Sequence, residues 1–157
     1  MKSFNAYLIF NGNCRQAMEF YARSLGADLQ LMTYAQGPGG GPGCEIPEQA
    51  KDKIMHARLQ AGKAVLMASD STPDRAVKEG TDFWVNIDCE SAQEIEKFFS
   101  ALSEGANITM PLQQTFWAAR FAMLTDKFGI NWMFNLEQPK TANHAYAPEE
   151  ATTLASR

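Results

Sequence analysis

Histidine is scarce in this chain: 157 residues contain two, His56 and His144. Chemistry built on several imidazoles is therefore excluded, and His56 is the one histidine positioned to act as a general acid or base. Cysteine is also sparse. Cys14, Cys44 and Cys89 are odd in number and widely spaced, which rules out a disulfide framework and reads as reduced thiols in a cytoplasm. No window approaches the roughly 20 apolar residues of a membrane span. The opening Met1-Lys2-Ser3-Phe4-Asn5 lacks a basic stretch leading into an apolar one, so no secretory signal is expected. Basic charge is in deficit, with Lys+Arg 14 against Asp+Glu 18 and a net charge of −4. A nucleic-acid partner needs a basic face that displaces counterions, and none is expected here. The glycine run between Gln36 and Cys44 lacks the Gly-Lys-Ser/Thr ending of a phosphate loop. It reads as a mobile lid or a long connector.

What is present is globular: 45% hydrophobic and 20% charged residues, enough to bury a core unaided. The chain also repeats itself. YLIFNGNCRQAMEFYARSLGADLQLM (7–32) and WVNIDCESAQEIEKFFSALSEGANITM (84–110) share a pattern in which Phe20-Tyr21 answers to Phe98-Phe99. Asn13 and Ser91 are helix-capping residues, with Gln16 and Glu94 three positions on, as in a capping box. Cys14, Ala17, Met18, Tyr21 and Leu25 fall on one helical face, as do Ala92, Ile95, Phe98, Phe99 and Leu102. Gly26 and Gly105 close the helices. Alternating strands precede them, at about 4–10 and 82–88, and strands follow at about 28–34 and 107–113. Each half then ends in a hairpin: 53–60 with 64–69, and 115–124 with 131–137. The repeated unit is βαβββ. The expected fold is α+β, with two tandem βαβββ modules (about 4–70 and 82–137) forming curved, cavity-enclosing mixed sheets in one domain, 1–137. A polar tail follows, 138–157.

The blocks NGNCRQAMEFY, KDKIMHARLQAGKAVLMASD and MPLQQTFWAARFAMLTDKFGINWMFN resemble the PhnB-like branch of the vicinal oxygen chelate superfamily. That superfamily holds glyoxalase I, extradiol dioxygenases, and fosfomycin and bleomycin resistance proteins. The resemblance covers about residues 4–137 and implies paired modules around a cavity, often assembled across a homodimer. One label in the branch is a ubiquinone-type demethyl-methyltransferase, but no glycine-rich loop suited to a methyl-donor cofactor is visible. Metal-using members place a His or Glu/Asp on each of four strands. Carried over by the helix-1 aromatic pair, those positions fall at Ala6, Met67, Asp82 (or Trp84) and Met133 (or Asn135 or Glu137). Alanine and thioether do not ligate a hard or borderline divalent ion, so no metal and no cofactor are expected.

His56 and Arg58 share one face of their strand, while Met55, Ala57 and Leu59 take the other. With Asp82, Trp84 and Asn86 the polar pair reads either as a ligand-orienting lining or as an ion pair closing the sheet. Trp117 and Arg120 belong to an aromatic-rich stretch. They suit stacking on a flat ligand and pairing with an anion, or else core packing with Arg120 tied to a local carboxylate. Cys89 precedes the second helix, where partial positive charge lowers a thiol pKa; it reads otherwise as structural. The expectation is a metal-free protein that binds a small aromatic or anionic molecule as a homodimer. The alternative is an enzyme of the glyoxalase, lyase or dioxygenase type using His56 or a non-standard metal site.

Overall fold

A computed structural model describes residues 5–37, 46–71, 77, 78, 80 and 82–139. Most of the glycine-proline loop, Cys44, His144 and nearly all of the tail lie outside the described residues. The first module runs β1 (Ala6–Phe10), α1 (Cys14–Leu25), β2 (Asp28–Thr33), β3 (Ile54–Ala61) and β4 (Ala64–Asp70), with a short 3-10 turn at Glu48–Ala50. The second runs β5 (Val85–Asp88), α2 (Ala92–Leu102), β6 (Asn107–Gln113), β7 (Ala118–Thr125) and β8 (Asn131–Glu137). Each module folds into a four-stranded mixed sheet. The order is β1-β4-β3-β2 in one and β5-β8-β7-β6 in the other. In both, the first strand pairs in parallel with the last and the remaining pairs are antiparallel. The α+β duplication legible in the sequence is thus a duplication of topology.

The helices form where the apolar stripe repeats at helical spacing. Cys14, Ala17, Met18, Phe20 and Tyr21 of α1 are buried. Full burial of a side chain the size of Met18 contributes about 1.5–3 kcal/mol. Gly26 ends α1 in the left-handed conformation at φ 63°, which costs glycine nothing because it lacks a Cβ. On α2, Ile95 and Leu102 are buried while Phe98 and Phe99 pack partly buried against the core. Ala92, expected on that face, is exposed.

The two caps differ. Ser91 Oγ accepts the Glu94 N–H at 3.2 Å, and Glu94 Oε2 reaches back to the Glu90 N–H at 2.7 Å, a capping box closed one residue early. Asn13 makes no side-chain cap bond. Its role is taken by Asp70 at the end of β4, whose Oδ1 accepts the Cys14 N–H at 2.9 Å and whose Oδ2 accepts the Ile54 N–H at 2.8 Å. Two strands also start later than expected, β5 at Val85 and β7 at Ala118.

One continuous core includes Leu8, Met18, Tyr21, Ala57 and Leu59 of the first module and Ile95, Leu102, Ala122, Leu124, Trp132 and Phe134 of the second. Across the seam, the Tyr21 and Trp132 rings meet edge-on with centroids 5.1 Å apart. Lys127 Nζ lies 4.0 Å from the Phe20 ring centroid, a cation–π contact.

Candidate functional site

The helices cover one face of each sheet and leave the other open. In the first sheet Leu8, Phe10, Ala57, Leu59, Leu66 and Ala68 point into the core. Strand side chains alternate, so Tyr7, Ile9, His56, Arg58, Met67 and Ser69 stand on the open face. Register aligns them in rows. Tyr7 lies beside Met67, Met67 beside Arg58 and Arg58 beside Gln30; Ile9 lies beside Ser69, and His56 beside Met32. Tyr7 and Ile9 are 46% and 49% exposed, so neither is buried by its neighbours among the described residues.

His56 and Arg58 therefore share the open face. Met55 does not complete the buried set opposite them. A bulge between Met32 and Thr33 breaks the alternation, and Ile54 is the buried residue at that end of β3. Tyr7 Oη lies 3.4 Å from His56 Nδ1, with ring centroids 5.9 Å apart. The pair reaches over β4, which separates β1 from β3. Arg58 Nη1 donates to Gln60 Oε1 at 2.5 Å.

The second open face belongs to β5–β8. Val85 and Ile87 pack against the core, while Asn86 and Asp88 are exposed on the opposite side. Asn86 lies beside Met133, Met133 beside Met123, and Met123 beside Met110, a row of three thioethers. In the next row Asn135 Nδ2 donates to Asp88 Oδ1 at 3.0 Å, and Phe121 is the cross-strand neighbour of Asn135. The Trp117 ring meets Phe121 edge-on at 5.5 Å and Phe116 at 4.6 Å.

The residues singled out in the sequence thus fall in four places. His56 and Arg58 stand on the first open face. Asn86 stands on the second, with Trp117 at its edge and half exposed. Asp82 (exposed) and Trp84 (half-buried) precede β5 instead of lying within it. Arg120 lies on neither open face. It pairs with Leu136 and shares the side of buried Ala122 and Leu124, where its guanidinium comes within 3.9 Å of Glu96 on α2. Tyr7, Asp88 and Asn135 complete the two faces. Asp88 alternates with Val85 and Ile87 in the sequence and Asn135 is one of the carried-over positions, whereas Tyr7 carries no distinguishing signal. Every residue of β1, AYLIF, is apolar or aromatic, so alternation there identifies no face.

Neither described cysteine is activated. Cys14 is pushed up to about 12 by burial, aided by the Asp70 charge, and Cys89 to about 12 by burial and then the Glu94 and Asp88 charges. Burial outweighs the helix terminus at Cys89, which is a core thiol. A cleft of about 240 Å³ opens beside the start of α1, lined by Gly12, Asn13, Arg15, Gln16, Asp52, Lys53 and Asp70. Asp70 is already engaged by two backbone N–H groups there.

The superfamily resemblance implies a divalent metal, and the donor set does not fit one. Ala6, the position first carried over, packs toward the core, and Tyr7 holds the open-face place beside Met67. The slip has a simple origin. The helices repeat at an offset of 78 (Tyr21 to Phe99), whereas the core-facing strand residues repeat at 79 (Leu8 to Ile87, Phe10 to Cys89). The corresponding pair in the second module is Asn86 beside Met133. Phenol, amide and two thioethers make a poor cage for Zn, Ni, Mn or Fe(II). Among the described residues no group of three or more His, Cys, Asp or Glu could hold a metal ion.

Comparison with known proteins agrees with this architecture. Residues 2–134 match the family model described as 3-demethylubiquinone-9 3-methyltransferase. Protein YjdN of Escherichia coli (strain K12) is 34% identical over 145 residues, spanning 85% of this chain and 95% of its own. The crystal structure of protein PA1353 from Pseudomonas aeruginosa superposes at TM-score 0.79 with 42% identity, covering 88% of this chain and all of that one. A Bacillus cereus structure described as a putative 3-demethylubiquinone-9 3-methyltransferase, PhnB protein, shares the fold at TM-score 0.62 and 24% identity, over 86% and 99% of the two chains. The fold recurs in solved glyoxalase/bleomycin resistance protein/dioxygenase proteins at 17% and 16% identity. With the paired βαβββ topology, these matches establish that the chain belongs to the PhnB-like family described as 3-demethylubiquinone-9 3-methyltransferase, on the glyoxalase/bleomycin resistance/dioxygenase fold.

Proposed function

We propose that this protein binds a small aromatic or anionic molecule without a metal, in sites that a homodimer completes. The observation that carries this reading is the grouping of Tyr7, His56, Arg58 and Met67 on one open sheet face. An arginine and an imidazole beside a thioether and a phenol suit a ligand with an acidic group on a flat or apolar body. The open face of the second sheet supports a complementary wall. It carries Asp88 and Glu137 but no Lys or Arg, since Arg120, the only basic residue in its strands, turns toward α2. A second copy laying this acidic, aromatic-edged face over the Arg58 face would enclose a ligand between the two. The free, buried Cys14 and Cys89 support residence in a reducing cytoplasm. No helix among the described residues is long and apolar enough to cross a membrane.

The family's description implies a methyl-donor cofactor, and this chain's residues do not fit one in a strand–glycine loop–helix cradle. The β1–α1 connection, Asn11-Gly12-Asn13, carries a single glycine, and the Asp70 carboxylate already occupies the start of α1.

The test is a thermal-shift and calorimetric screen of aromatic carboxylates and other small anions on chelator-treated protein. A binding ligand raises Tm by mass action, about 2.7 kcal/mol of stabilisation at a hundredfold excess over Kd, with no turnover. Stoichiometric Zn, Ni, Mn or Fe in protein purified without chelator, lost on His56→Ala, would overturn the reading.

A further inference from the structure

We propose that Tyr7 is a positioning residue. It holds His56 as the neutral tautomer with its proton on Nε2, so that His56 Nε2–H and the Arg58 guanidinium form a paired donor site for a ligand carboxylate. The ligand half of this inference rests on the binding reading above; the tautomer half does not.

The geometry begins with the phenol. Tyr7 Oη faces His56 Nδ1 at 3.4 Å, and the tilted rings (37° between planes) sit 5.9 Å apart. Neutral imidazole has one donor and one acceptor nitrogen, and the bond made by one decides the proton on the other. A phenolic O–H donating to Nδ1 leaves the proton on Nε2, the far side of the ring. The arrangement is not a chance approach of neighbours in sequence. Tyr7 and His56 lie on strands separated by β4, and the register that puts Tyr7 beside Met67 and Met67 beside Arg58 fixes which side chains can meet.

Arg58 stands two residues from His56 on the same face, so their Cα atoms are about 6.5–7 Å apart. Two donors at that spacing can converge on the two oxygens of one carboxylate. Gln60 Oε1 takes one arm of the Arg58 fork, orienting the guanidinium while its other N–H groups remain for a ligand. The nearest companions on the face are Met67, Ser69, Gln30 and Met32, none of them acidic. Asp28, the acid on β2, lies beyond Gln30 at the outer edge, opposite Gln60. An incoming anion therefore meets a fixed positive charge, a neutral N–H donor and thioether surface for its apolar body.

The experiment uses the full chain carrying His144→Ala, which leaves His56 as the single histidine. Long-range ¹H–¹⁵N correlation at pH 8, above the ordinary imidazole range, reads the protonation of each ring nitrogen directly, and benzoate serves as the probe ligand. The expected result is an unprotonated Nδ1 and a protonated Nε2. Tyr7→Phe should relax the ring to a mixture of tautomers and weaken benzoate about twofold, the fraction of rings that no longer present Nε2–H. Added benzoate should shift Nε2 and leave Nδ1 nearly unmoved. A proton on Nδ1, or a tautomer indifferent to Tyr7→Phe, overturns the role of Tyr7 even if benzoate binds. The expected tautomer with no response to benzoate overturns the carboxylate site, while the binding reading stands or falls on the wider ligand screen.

Discussion

Tyr21 donates its phenolic hydrogen to Asp126 Oδ2 across 2.6 Å, tying α1 of the first module to the β7–β8 turn of the second. Trp132 Nε1 donates to the same oxygen at 2.8 Å, and the backbone N–H groups of Phe128 and Ile130 reach Oδ1 at 2.8 and 3.0 Å. Asp126 is 5% exposed. Four donors are what make a buried carboxylate tolerable. Asp126→Ala strands all four and should cost about 3–5 kcal/mol in urea unfolding. Tyr21→Phe, which leaves the carboxylate three donors, should cost about 2 kcal/mol.

The same network sets an alkaline limit. Burial and the Asp126 charge push the Tyr21 phenol far above its ordinary range, and burial pushes Cys14 and Cys89 up to about 12. Each group stays protonated in the fold at pH values where the unfolded chain has lost the proton. The unfolded state then binds fewer protons, so stability falls as pH rises. The two thiols begin this loss near pH 9 and cease to add to it near 12. Tyr21 adds about 1.4 kcal/mol per pH unit above about pH 10. Urea midpoints between pH 8 and 11.5 should decline with increasing slope, and Tyr21→Phe should flatten the part above pH 10.

Capping by a distant carboxylate separates two asparagine and aspartate variants. Asp70 satisfies one donor of α1 and one of β3 from a position 4% exposed, so Asp70→Ala should cost about 2–3 kcal/mol. Asn13→Ala, where no side-chain cap bond exists, should stay within about 0.5 kcal/mol. Ser91→Ala, which removes the Glu94 cap, should cost about 1 kcal/mol. Thermal or urea denaturation of the three variants orders them.

What the sequence made legible follows from which signals are local. Helical stripes, the Ser91–Glu94 box and the period-two alternation in Val85–Asp88 are written within a few residues, and they foretold the βαβββ order. The α1 cap was not legible because its acceptor lies 56 residues away on β4. The face of Tyr7 was not, because β1 is apolar throughout. Arg120 keeps step with buried Ala122 and Leu124, but the carboxylate it meets there belongs to α2 and is not marked by local spacing. Met55 misses the buried set because of the bulge between Met32 and Thr33, and a bulge changes which residues face the core without marking itself in the composition. The pairing of His56 and Arg58 on one face was legible; the partner that holds His56 was not.

The two arginines Arg58 and Arg120 should differ in what they contribute to binding. Arg58 stands on the open face, whereas Arg120 is half exposed against Glu96 at 3.9 Å on the helix side. In a ligand titration by calorimetry, Arg58→Ala should abolish measurable binding of an aromatic carboxylate. Arg120→Ala should leave the affinity unchanged and shift stability by less than about 1 kcal/mol, the worth of an exposed ion pair. Equal losses from both variants would mean that the ligand does not sit on the Tyr7–His56 face.

Association is tested most directly at Ile9. It is 49% exposed on the first open face, beside Tyr7 at 46%, with Met32 at 40% on the same face at the opposite edge of the sheet. A change there costs a lone chain little, because no core contact is lost. In a dimer that seats the second chain's aromatic-edged face on this one, the same change buries a charge in apolar contact. Ile9→Asp should therefore leave the monomer's unfolding free energy, from urea denaturation at high dilution, within about 0.5 kcal/mol of the parent. Sedimentation velocity at micromolar concentration should find the parent dimeric and Ile9→Asp monomeric. Because the ligand site needs both faces, aromatic carboxylate binding should weaken in the variant although Arg58 and His56 are untouched. A parent chain that sediments as a monomer at every concentration while still binding such a ligand would place the whole site on the first face alone.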